Sequence, residues 1–167
     1  MNFITPLKKL LIYTEPVKSG KSTRLLSFVQ NRKDVGGILS PLIEGKKYLY
    51  DISSGKKKLL EADSKEKEVN IVTVGRYKFQ KKVFEWANEV LQKASEGNYS
   101  YLIIDEIGPL EFRGEGLSPV ADEIIRNYNS CNSKIIVVFR EHLTSQFLEY
   151  FKLDSTEVEL YPFNHLL

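Results

Sequence analysis

Short apolar runs alternate with stretches of helical periodicity along nearly the whole chain, and this alternation restricts the fold more than any other feature. Leu10-Leu11-Ile12-Tyr13 reads as a first strand, Thr14 to Gly20 as a loop, and Leu25, Leu26, Phe28 and Val29 as one face of a helix. Val35 to Leu39 reads as a second strand, stopped by Ser40-Pro41. Val83, Phe84, Ala87, Val90, Leu91 and Ala94 recur at helical spacing and predict an amphipathic helix over Lys81 to Ser95. Tyr101 to Ile104 and Lys134 to Phe139 are buried-strand patterns, and Ser118-Pro119 supplies an N-cap and a proline at the first position of a further helix. His142 to Tyr150 predicts a last helix, and Val158 to Tyr161 a last strand. Such a chain builds a mainly parallel sheet with helices on its faces. Between Glu44 and Val74 the rhythm changes. Tyr48, Tyr50 and Ile52 alternate before a Ser53-Ser54-Gly55 turn, which predicts an antiparallel insertion at about 44–74 within one α/β domain spanning 1–167.

Composition narrows the chemistry. The 167 residues are 42% hydrophobic and 28% charged, which excludes disordered and collagen-like classes. Cys131 is the one cysteine, so no internal disulfide or multi-cysteine zinc site is possible, and His142 and His165 do not match zinc spacings. A net charge of +2 leaves no electrostatic footprint for nucleic acid, so no nucleic-acid partner is expected. The longest aliphatic stretches are far too short to cross a bilayer, and Met1 to Leu10 holds no signal-peptide core. The expectation is a cytoplasmic monomer without a membrane partner.

Two segments carry chemistry. Gly20-Lys21-Ser22 lies between an apolar strand and a helix start, where a phosphate-binding loop must sit. A triphosphate carries about four negative charges and needs backbone N–H groups, a cation and a metal. Pro16, Val17, Lys18, Ser19 and Gly20 form the candidate loop, with N–H groups at a helix N-terminus. In it Lys21 would reach the terminal phosphates, Ser22 would bind magnesium, and Thr23 would add a donor near the innermost phosphate. The loop pattern asks for a second glycine where this chain has Glu15, a residue that cannot adopt glycine's backbone conformations cheaply. The second segment is Tyr101 to Glu106, an apolar strand ending in two carboxylates. Asp105 is suited to steady a magnesium shell, and Glu106 to orient or deprotonate an attacking water.

Asp105-Glu106-Ile107-Gly108-Pro109-Leu110-Glu111 resembles the signature segment of a small family of P-loop nucleoside triphosphatases, known from thermophiles and as the human cancer-related nucleoside triphosphatase. Gly36 to Pro41 resembles that family's second strand, Tyr50-Asp51-Ile52 with Ser54-Gly55 its hairpin insertion, and Val74-Gly75-Arg76-Tyr77 its glycine–basic–tyrosine motif. The resemblance implies a P-loop three-layer sandwich and Mg2+-dependent hydrolysis of nucleoside triphosphates to diphosphate and phosphate, with loose base preference. It also places Arg76 and Asn164 among the nucleotide-binding candidates and matches Glu111 to an acidic family position. The glutamate beside Asp105 points to the ATPase-like branch of these folds, in which an extra strand separates the loop strand from the Asp105 strand. Lys134 to Phe139 would be that strand, bringing Arg140 to the nucleotide as a cation that stabilises the transferred phosphoryl group.

Two other functions remain open at this stage. A small-molecule or nucleotide kinase would use the same loop, with Ser40 to Val74 as a lid. A nucleotide-binding switch would follow if Glu15 marks a decayed loop.

Overall fold

The computed structural model describes residues 8–15 and 20–160, and of Glu15 the backbone only. Pro16, Val17, Lys18, Ser19 and Asn164 lie outside the described residues. In chain order the elements are β1 (Leu10–Glu15), α1 (Lys21–Val29), β2 (Val35–Leu39), β3 (Leu42–Ile43), β4 (Lys46–Asp51), β5 (Lys57–Leu59), β6 (Ile71–Val74), β7 (Tyr77–Gln80) and α2 (Lys81–Glu96). They continue as β8 (Tyr101–Asp105), α3 (Pro109–Phe112), α4 (Val120–Arg126), β9 (Lys134–Arg140), α5 (Thr144–Phe151) and β10 (Val158–Leu160).

The main sheet runs β10-β1-β9-β8-β2-β4-β3, with β5 paired to β4. The pairs from β10 to β2 are parallel, and β3, β4 and β5 extend the sheet antiparallel. This is the expected α/β class, with β9 between β1 and β8 as the ATPase-like strand order requires. Alternation sends successive side chains to opposite faces. Leu102, Ile104, Ile135, Val137 and Phe139 join α2, α4 and α5 in one core. Leu11, Tyr13, Ile103, Ile136 and Val138 join Leu25, Phe28 and Val29 of α1 in the other. The sheet is therefore sandwiched between two helical layers.

Some local expectations shift. The helix after Ser118-Pro119 begins at Val120, so Pro119 stands at the N-cap rather than inside the first turn. The last helix starts at Thr144, behind a short 3-10 turn at Glu141–Leu143. In β4 the more deeply buried phase is Leu49 and Asp51, while Tyr48 and Tyr50 are half-buried. Within the insertion at about 44–74, β4 pairs with β5, whereas Ile71–Val74 pairs outside it with Tyr77–Gln80 in a separate two-stranded hairpin.

Candidate functional site

Parallel strands deliver their C-terminal ends to one edge of the sheet, the edge where ligands gather in open α/β folds. Register sets the neighbours: Asp105 lies opposite Val138, and Glu15 opposite Arg140. Parity does the rest. Asp105 is in phase with Ile103, and Arg140 with Ile136 and Val138, so both belong to the face covered by α1. Gly20 stands at the N-cap of α1 with φ of 84°, a left-handed conformation suited to glycine, and Lys21 and Ser22 open the helix. Glu15 closes β1 as an ordinary ladder residue, so the backbone at this position does not call for glycine.

Asp105 is 1% exposed, and its Oδ2 accepts the Ser40 N–H at 2.9 Å. Burial, reinforced by the charge of Glu106, raises its carboxyl to about 6. Glu106 is held between two cations: Lys47 Nζ at 3.5 Å from Oε2 and Arg140 Nε at 3.3 Å from Oε1. Burial pushes this carboxyl upward, but Lys47, Lys21 and Arg140 outweigh it and keep Glu106 below its ordinary range. Two adjacent carboxylates are thus driven apart, one towards its protonated form and one towards its anion, as acid–base sites require.

Glu106, Arg140, Ser22 and Arg76 line one cleft of about 580 Å³, together with Lys47. Arg76 reaches it from the β6–β7 turn, its guanidinium 5.2 Å from the centroid of the Tyr77 ring. Lys21 belongs to the same electrostatic group through its effect on both carboxyls. Thr23 is exposed one step further along α1.

Lys47 is the residue that the sequence reading passed over. It sits in phase with Leu49 and Asp51, the buried residues of β4, and an inward-phase lysine was the available signal.

Glu111 takes a structural part. It is 4% exposed, accepting Gly108 N–H and Leu117 N–H at 2.9 Å each, and so ties both ends of the α3 loop. Burial raises its carboxyl from 4.5 to about 7, against the pull of those two N–H groups. The folded protein therefore holds a proton that the unfolded chain has released, and stability falls as pH rises through this window. Urea unfolding should show the midpoint decreasing from pH 4.5 towards about 7, with a shallower decline in Glu111→Gln. An equal slope in the two proteins would refute the assignment.

The sequence pattern of the NTPase family matches residues 10–165. The chain belongs to the NTPase family. Among solved structures, this NTPase is similar to THEP1 from the hyperthermophile Aquifex aeolicus. The match has a TM-score of 0.70 and 19% identity, covering 95% of this chain and 96% of that one, a likeness of fold. No curated protein matches it. Family and fold make the protein a nucleotide-binding P-loop protein of nucleoside-triphosphatase type. Among the described residues of the NTPase, no helix is long and apolar enough to cross a membrane.

Proposed function

We propose that this NTPase hydrolyses nucleoside triphosphates to diphosphate and phosphate, with loose base preference. The observation that carries the proposal is Glu106, an ionised carboxylate between Lys47 and Arg140, beside buried Asp105 and facing the cleft. In this reading the N–H groups at the start of α1 and the Lys21 ammonium bind the phosphate chain, with Pro16 to Ser19 completing the loop and Thr23 adding a donor. Glu106 orients a water and accepts its proton as the oxygen attacks the terminal phosphorus. Arg140 stabilises charge on the transferred group, and the nucleoside diphosphate leaves. Asn164 is assigned to a nucleotide contact, whereas Arg76, carried on the β6–β7 turn at the cleft, is left to a second ligand.

The residues suit magnesium. NTPases hold this ion with few protein oxygens, completing its shell with phosphate and water. Among the described residues there is no cluster of three or more His, Cys, Asp or Glu, and Asp105 Oδ1 takes no hydrogen bond from them. Ser22 and Asp105 would hold the ion, which when bound neutralises phosphate charge. The strand conformation at Glu15 favours a working loop over the decayed-switch reading.

The test is phosphate release from ATP, GTP, CTP and UTP with magnesium, run beside Lys21→Ala. The wild-type chain should release phosphate from all four. Lys21→Ala should weaken nucleotide binding by about tenfold to a hundredfold, the worth of charged hydrogen bonds. Phosphate release with the same rate and affinity in Lys21→Ala would overturn the proposal.

A further inference from the structure

Hydrolysis needs little room beyond the terminal phosphate, since one water occupies about 30 Å³. The cleft at Glu106 is about 580 Å³, within the range of about 300–1,000 Å³ typical of small-molecule sites. Its inner wall is apolar: Leu49, Leu60, Phe79 and Phe84 are each at most 7% exposed and contribute to it. At the rim, Leu42 and Tyr77 remain 64% and 45% exposed.

The aromatic side chains have an order. Tyr77 and Phe79 stack with centroids 5.9 Å apart and planes 11° apart, and Phe79 meets Phe84 edge-on at 6.2 Å. These rings lead from the rim to the floor and offer a planar ligand both stacking and edge contacts. Beside them Arg76 bonds the Tyr77 hydroxyl at 3.1 Å, and among the described residues no carboxylate pairs with it. Among the described residues no asparagine or glutamine lines the cleft, and Glu61 Oε1 is already taken by the Lys47 N–H at 3.0 Å. Beyond Ser40, Glu61 and His142, the described wall between Leu49 and Phe84 has little with which to read a nucleobase. It suits an aromatic hydrocarbon body carrying an anionic group.

We propose that the cleft beyond Glu106 is a second-ligand site for a small aromatic anion, which binds beside the terminal phosphoryl group without displacing the nucleotide. The aromatic body stacks along Tyr77 and Phe79, and the anionic group meets Arg76. This rests on the proposed function: with the terminal phosphate at Lys21 and Glu106 and Thr23 donating to the innermost phosphate, the nucleoside leads away from Glu106.

The probe is 8-anilinonaphthalene-1-sulfonate, titrated into the full chain by fluorescence with magnesium and a non-hydrolysable ATP analogue at saturation. Saturable one-to-one binding is expected, about tenfold weaker in Tyr77→Ser, as loss of an aromatic contact implies. Leu42→Ser should weaken it in the same direction. This dye also binds loosely packed states, so near-ultraviolet circular dichroism must show both variants folded. If Tyr77→Ser fails that check, Leu42→Ser decides the question. Absence of saturable binding, displacement by the analogue or by AMP, or equal affinity in the folded variants would overturn the proposal. Phosphate release in Glu106→Gln is read separately: its persistence would sink the hydrolase reading, while the titration still reports on the aromatic site.

Discussion

Glu106→Gln is expected to lower phosphate release by about a hundredfold to ten-thousandfold, the usual contribution of a positioned general base. Affinity for the magnesium–nucleotide complex should change by no more than about threefold. The substitution keeps the shape of the side chain and removes its charge. Lys47 and Arg140, now bonded to Glu106 at 3.5 and 3.3 Å, lose an anionic partner and become freer to meet phosphate. Binding therefore survives, while the acceptor for the water proton is gone. A single-turnover assay with an equilibrium binding measurement separates the two effects. Hydrolysis at the wild-type rate would remove Glu106 from the chemistry. Loss of binding together with turnover would make the residue a structural support of the pocket.

Gly37→Ala should be the most damaging small substitution in the sheet, with a loss above about 4 kcal/mol. Gly37 sits in β2 at φ +113°, and an added Cβ would lie 2.0 Å from the backbone oxygen of Ile103. That oxygen belongs to β8, two residues before Asp105, so relief of the clash requires the strand carrying Asp105 to move. Gly114→Ala is the useful comparison. Its φ is +80° but nothing lies within 4 Å of the new Cβ, and its effect should be about 1–2 kcal/mol. Urea denaturation of both variants measures the difference. Similar losses would show that β2 and β8 yield more than their spacing implies.

The sheet was readable because its signals are local. Val35 to Leu39 stops where Ser40-Pro41 interrupts it, and Lys134 to Phe139 has an uninterrupted apolar run that only a covered strand needs. The positions of Gly20-Lys21-Ser22 and Asp105-Glu106 at strand ends could be read for the same reason. Lys47 was harder, because its meeting with Glu106, 59 residues further along the chain, depends on β4 docking beside β2. Which face of β4 is the more covered was not legible either: a strand near the sheet edge half-covers Tyr48 and Tyr50 on one side and buries Leu49 on the other. The part played by Glu111 depended on a chain reversal that brings Leu117 back to its carboxylate, a contact no periodicity announces.

The position of β9 has a mechanical consequence. Ile135 to Phe139 are all 0% exposed, and hydrogen-bonded strands flank β9 on both sides. The β1 and β8 tips are thus bolted to a shared keel, about two strand spacings apart. A bar so deeply clamped resists sliding or bending when a ligand meets the strand tips. Deuterium should reach the keel last of all.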